Sequence, residues 1–279
     1  MSDKKARYIT TTLPYVNSDP HIGFAYEIVN ADALARYWRL MGEEVFFNTG
    51  TDEHGQKIAQ KADEKGESRQ AYVDHYAAEF KRLGGALNLS LDAFIRTTDA
   101  GHVAAAQEIW RRCAAQGDIY KKSYSGHYCV GCELFYKPEE LLEGNVCPIH
   151  TTLCQVIEEE NYFFKFSKYQ KPLLALYNEN PNFVIPDFRF NEIKAFVARG
   201  LEDFSISRLK SKMSWGVAVP DQPVGEPEQV MYVWFDALVN YISTLGWPDD
   251  EKQFETYWQH GTPVQYCGKD NNRQQSAMW

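Results

Sequence analysis

LPYVNSDPHIGFAYEIVNADALARYW, residues Leu13 to Trp38, changes its period part-way along. From Ile28 the apolar residues Ala31, Leu34, Ala35, Trp38 and Met41 recur at steps of three and four, which is the spacing of a helix face. Gly42 follows as a stop. Upstream, YITTTLPYV (Tyr8 to Val16) is rich in β-branched and aromatic residues and predicts a strand. His21 and Gly23 therefore fall where a strand hands over to a helix N-terminus. Such a junction suits anions, because unpaired backbone N–H groups and the positive end of the helix dipole point outward there. A glycine would let a ligand approach the backbone, and an imidazole N–H can donate to phosphate. The same His-Ile-Gly run also suits an ordinary capping turn with a surface histidine, and alone it does not separate the two.

The next segment, EEVFFNTGTDEHG (Glu43 to Gly55), reads as a short apolar strand, Val45 to Asn48, running into a polar loop. Helical patterns follow over Gln56 to Lys65, Ser68 to Leu87 and Gly101 to Gln116; in the last, His102, Ala105, Ile109, Trp110 and Cys113 share a face. Alternating strand and helix predict an α/β fold, a doubly wound parallel sheet of Rossmann-like, nucleotide-binding type, with ligands beyond the strand carboxyl ends. The character changes at Gly117. GDIYKKSYSGHYCVGCELFYKPEELLEGNVCPIH is turn-rich, with cysteines and short aromatic strands, before helical patterns return in KPLLALYNEN and NEIKAFVARGL. From Met231 an apolar strand enters a helix at about Asp236, and PVQYCG reads as a last strand before another helix. The expected division is residues 1–116 as the first half of the nucleotide domain, 117–228 as an insertion, and 229–279 as the start of the second half.

A 279-residue chain with 24% charged residues and no bilayer-length apolar run is expected to be soluble and cytoplasmic, with no membrane partner. MSDKKARYITTT has no apolar core of a secretory signal. The net charge of -9 argues against a whole-surface grip on nucleic acid but leaves room for a local basic patch. Six cysteines without a secretory signal read as thiols or metal ligands. Cys129-x-x-Cys132 and Cys147-x-x-His150 form two knuckles that can point four ligands at one ion, a closed tetrahedral zinc site of structural type. The zinc-knuckle region spans about residues 126–154 of the insertion. Cys154 is a competitor with poorer spacing, and Cys113 and Cys267 lie in core-like contexts.

The ordered set TLPYVNSDPHIGF, GTDEHG, the Cys/His knuckles, SRLKSKMSWGVAVP, YVWFDALVNY and GKDN closely resembles the methionyl-tRNA synthetases, a class I aminoacyl-tRNA synthetase family. The resemblance covers essentially the whole chain. It implies activation of methionine by ATP with magnesium, then transfer to tRNA(Met), with a structural zinc. On it, His21 and Gly23 match the nucleotide signature, Asp52 matches the partner of the substrate ammonium, and Gly268 and Asp270 match the ribose-binding turn. Leu13, Tyr15, Trp234, Ala237, Leu238 and Tyr241 match the methionine pocket; a polarizable thioether needs such apolar and aromatic walls. Three departures stand out. Phe24 replaces a second signature histidine, and Gln274 and Gln275 stand where many members carry Phe-His. The family's second signature, Lys-Met-Ser-Lys-Ser, and its helical anticodon-reading domain are missing; KSKMS (Lys210 to Ser214) lies too early and reads as a surface basic loop. The chain is thus expected to be the leading part of a longer enzyme. A class I synthetase for another apolar amino acid and a catalytically incomplete methionine- or adenosine-binding fragment are the alternatives, and the oligomeric state is not indicated.

Overall fold

The computed structural model describes residues 5–132 and 134–279; the first four residues of the expected first segment lie outside that range. In chain order the first unit comprises β1 (Ala6–Thr11), α1 (Ile22–Leu40), β2 (Glu44–Thr51), α2 (Gln56–Lys65), α3 (Arg69–Ala86), β3 (Ala93–Arg96) and α4 (Ala100–Ala115). An antiparallel part follows, with β4 (Ile119–Cys129), β5 (Leu134–Tyr136), β6 (Gln155–Phe164), α5 (Gln170–Glu179), α6 (Asp187–Ala198) and β7 (Phe204–Ser205). The chain closes with β8 (Ser207–Leu209), β9 (Gln229–Met231), α7 (Val233–Ala237), α8 (Asn240–Ser243), α9 (Glu251–Phe254) and β10 (Thr262–Tyr266).

The strands β10-β1-β2-β3 form one parallel sheet in that order. Ile9 of β1 pairs with Val264 on one side and Phe47 on the other. One face is covered by Ile28, Ala31 and Ala35 of α1 with Ile58, Tyr72 and Val73 of α2 and α3. Tyr8 and Phe46 on the other face pack against Leu245, Tyr257 and Trp258. Helices on both faces make the sheet doubly wound, and they bury β1 so fully that Tyr8, Ile9, Thr10 and Thr11 have no exposed surface.

The second sheet, β5-β4-β6-β7, is antiparallel. Its base shares a core with the first unit: Trp110 of α4 meets Tyr162 and Phe235 edge-on, each at 5.3 Å between ring centres. Arg208 braces the same junction. Its guanidinium, almost fully buried, lies 4.8 Å from the ring centres of both Phe135 and Tyr232, a cation–π arrangement spanning β5 and the entry to α7.

Several boundaries differ from the sequence reading. The first strand ends at Thr11 rather than Val16: the bond from Thr12 N–H to Tyr266 O closes its ladder, Pro14 has no N–H to continue it, and pairing resumes only as an isolated bridge between Tyr15 and Asp52. The helix begins at Ile22, six residues before the periodic run. β2 runs on through Thr51, so Gly50 and Thr51 belong to the strand. β4 and β6 are long strands of 11 and 10 residues. Cys113 and Cys267 are half-buried and stand outside the core clusters. KSKMS is exposed except for Met213, which is buried. Among the described residues no helix is long and apolar enough to cross a membrane.

Candidate functional site

Strand order reverses between β1 and β10, and open parallel sheets bind ligands outside the strand carboxyl ends at such a point. A cavity of about 530 Å³ opens there. It is lined by Leu13 and Tyr15 after β1, His21, Gly23 and Glu27 at the start of α1, and Asp52 and Lys57 after β2. Trp234, Ala237, Leu238, Asn240 and Tyr241 come from the α7–α8 segment, and Gly268, Asp270, Gln274 and Gln275 follow β10. Every small-molecule residue singled out in the sequence thus lines one cavity.

His21 is the N-cap of α1. Its Nδ1 accepts the Gly23 N–H at 3.1 Å, which leaves the neutral ring's proton on Nε2 as a donor. A Cβ at Gly23 would lie 3.1 Å from two atoms of that ring. The glycine therefore seats the imidazole as well as opening the backbone. The Phe24 side chain has no hydrogen-bonding group; it lies at the cavity wall and is buried edge-on against Phe80, 5.2 Å between ring centres. The position where a second signature histidine was expected is thus used for packing.

Asp52 is mostly buried, and its backbone is pinned by its N–H to Pro14 O (2.9 Å) and by Val16 N–H to its own carbonyl (3.1 Å). The following residue, Glu53, has no exposed surface and receives Arg96 through two bonds of 2.7 and 2.9 Å. This bidentate clamp fixes the loop to β3. Trp215 Nε1 donates to Glu53 O at 2.6 Å, and Gly55 N–H donates to Trp215 O at 3.0 Å.

Trp234, Ala237 and Leu238 supply an apolar wall opposite this polar loop in chemistry. Tyr241, buried in that wall, accepts a hydrogen bond from Gln275 Nε2, and burial pushes its phenol well above the usual range. The side-chain oxygens of Gln274 and Gln275 are buried without a protein partner. Glu27 accepts the Thr12 N–H at 2.8 Å.

Glu27 and Lys57 were missed in the sequence. Lys57 is the only lysine or arginine among the described residues lining the cavity, and it had a legible signal. A cation in the first turn of a helix opposes the dipole unless an anion is bound nearby. Glu27 had none, because an acid near a helix start is ordinary.

Cys129, Cys132, Cys147 and His150 bring their ligand atoms within 4.8 Å of one another. Cys132 Sγ lies 3.5 Å from Cys147 Sγ and 3.1 Å from His150 Nδ1. Thiolates about 2.3 Å from a tetrahedral zinc stand about 3.8 Å apart, so the donor set and its spacing fit that ion. Cys154 is buried nearby but outside this group. A Cβ on Gly131 would lie 2.7 Å from the His150 ring. Burial pushes the Cys147 thiol up, but hydrogen bonds from the His150 and Ile149 N–H groups and from Cys129 and Cys132 together bring it down to about 6. Gly131 and Cys132 also line the cavity.

A family model described as tRNA synthetases class I (M) matches residues 7–155 and 136–279. The chain is 46% identical over 275 residues to the methionine–tRNA ligase of Thermotoga maritima, covering 98% of this chain and 42% of that protein. It is 44% identical over 273 residues to the chloroplastic/mitochondrial methionine–tRNA ligase of Arabidopsis thaliana, covering 97% and 43%. Among solved structures, Mycobacterium tuberculosis methionyl-tRNA synthetase in complex with methionyl-adenylate superposes with a TM-score of 0.91 at 44% identity, covering 99% of this chain and 53% of that one. The chain spans about half the length of the relatives it matches.

Proposed function

The chain belongs to the methionine type of class I tRNA synthetases, and from that premise we propose that it is the catalytic core of a methionine–tRNA ligase. One observation carries the reading. A single cavity at the strand-order reversal combines a helix N-terminus with a histidine donor, a buried carboxylate and an apolar aromatic wall. These are the partners that a nucleotide phosphate, an ammonium group and a thioether require.

In this reading Asp52 takes the methionine ammonium, while Leu13, Tyr15, Trp234, Ala237, Leu238 and Tyr241 enclose the thioether. A methionine carboxylate oxygen attacks the α-phosphorus of ATP, the bond to pyrophosphate breaks, and methionyl-adenylate forms. The His21 Nε2–H and the N-terminal amides of α1 meet the phosphate oxygens as charge redistributes, and Lys57 adds a cation on the same cavity. Such chemistry depends on positioning and charge stabilisation. Gly268 and Asp270 receive the ribose hydroxyls, and the adenylate then acylates tRNA(Met). Magnesium would enter with ATP as counter-ion to its phosphates. Zinc at Cys129, Cys132, Cys147 and His150 would hold the knuckle in shape, since four protein ligands leave no open position. Residues 1–116 and 229–279 are assigned to the nucleotide domain, 117–228 to the insertion, and the protein to the cytoplasm.

The test is methionine-dependent ATP–pyrophosphate exchange, with leucine, isoleucine and valine as controls and His21→Ala alongside, supported by calorimetric methionine binding. Exchange with methionine alone, reduced about 100-fold or more in His21→Ala, is the expected result. Methionine binding without exchange would reduce the chain to a substrate-binding fragment, and absence of methionine binding would overturn the reading.

A further inference from the structure

His54 lies two residues beyond Asp52, but its side chain does not line the cavity. Its Nδ1 is 2.8 Å from Asp236 Oδ2. The other carboxylate oxygen, Oδ1, is 2.8 Å from Nε2 of His102 on α4, whose Nδ1 meets Ser243 Oγ of α8 at 2.9 Å. Asp236 has no exposed surface and His102 is 1% exposed. An ionised carboxylate only accepts, so both imidazoles turn an N–H toward it, and the second ring nitrogen of His102 is hydrogen-bonded to the Ser243 hydroxyl. Burial pushes the Asp236 carboxyl up, but attraction and hydrogen bonds from His54 and His102 outweigh that and hold it below the usual range.

A buried carboxylate is destabilising unless it is fully satisfied, and this one joins two elements far apart in sequence. On one side is the loop that carries Asp52. On the other is the α7–α8 segment, where Asp236 stands between Trp234 and Ala237. The loop is already clamped to β3 through Glu53 and Arg96. The Asp236 bridge adds its tie to the apolar wall.

We propose that His54, Asp236 and His102 form a positioning relay that sets the distance between the Asp52 carboxylate and the α7–α8 apolar wall, and so selects the length of the amino acid held between them. The inference rests on the reading of this cavity as the methionine site. The ATP contacts assigned to His21, Gly268 and Asp270 stand on other elements, and Lys57 is carried by α2, which is anchored through its own buried Ile58, Ala59 and Ala62, so they are not set by the relay. Loosening it therefore weakens the amino acid selectively and lets a longer thioether compete.

The experiment is calorimetry on the full chain with methionine, with ethionine, which is longer by one methylene, and with ATP. Asp236→Asn replaces an acceptor by a donor facing an N–H. We expect its methionine Kd to rise about tenfold, its ATP Kd to stay within about twofold, and its preference for methionine over ethionine to narrow. His54→Leu should behave likewise, whereas His54→Gln, which keeps a donor for Asp236, should stay near wild type. That second pair decides the question if Asp236→Asn fails to fold. Unchanged methionine affinity and selectivity, or equal losses for methionine and ATP, would overturn the relay. Wild-type protein that binds no methionine would instead remove the functional reading, and this inference with it.

Discussion

Glu27 is poorly placed for stability. Burial pushes its carboxyl above the usual range, and the N–H groups of Thr12 and Gly268 recover only part of that loss. Because its folded value lies above the unfolded one near about 4.3, its favourable contribution is complete only below that value. The contribution falls away as pH rises through the folded value, so ionised Glu27 destabilises the fold at neutral pH. Glu27→Gln keeps an acceptor for Thr12 and removes the charge. Its melting temperature should exceed that of wild type near about pH 7, and the gap should close near about pH 4; equal melting temperatures at both values would show that the carboxylate is adequately solvated. A charge held at such a cost on a cavity wall fits a binding role better than a structural one. Such a residue is hard to find in sequence, since its strain depends on Thr12 and Gly268 arriving from elsewhere. Phe24 was equally opaque, because its partner Phe80 comes from α3.

Elements were legible where their signals were local. α2 and α3 lie close to the expected spans because their ends carry chemistry that can be read. Gly66 adopts a left-handed conformation after α2, and Ser68 Oγ accepts the Ala71 N–H at the start of α3. The start of α1 was hidden because its first two turns mix buried and exposed apolar residues: Phe24 and Ile28 face the core, while Ile22 and Tyr26 are 85% and 73% exposed and blur the period. The lengths of β4 and β6 were hidden too, since each is extended by pairing with the other, from Tyr128 with Gln155 out to Ile119 with Phe164, far apart in sequence. The knuckle is the opposite case, with a spacing in sequence that matches a cluster in space. Its glycine is the sensitive point. Gly131→Ala drives a methyl group into the His150 ring, so zinc affinity should fall about 10-fold or more while the parallel sheet stays folded. A chelator competition titration followed by circular dichroism checks both parts, and unchanged zinc affinity would mean that the knuckle yields without loss.

At the scale of the molecule, the separate parts are stitched together by buried or half-buried carboxylates. Asp32 ties α1 to the turn before β3 through Ser90, and Asp236 ties the cavity loop to α7. Asp118 receives Lys168 and Tyr169, while Asp203 receives Ser167 and Tyr120, so both fasten the start of β4 to the segment before α5. Burial pushes all four carboxyls up, but their partners outweigh it and hold each below the usual range. A lowered folded value means stabilisation that is present above the unfolded value, near about 3.9, and lost as pH falls through the folded one. These ties should therefore hold steadily from about pH 8 to pH 5 and fail together below about pH 4. Urea midpoints across that range should show a plateau and then a steep fall. Asp118→Asn should lower the plateau and flatten the fall, because it removes a group that binds protons more readily in the unfolded chain. A mutant curve parallel to wild type throughout would mean that Asp118 titrates alike folded and unfolded, and that acid first breaks the molecule somewhere other than the β4 junction.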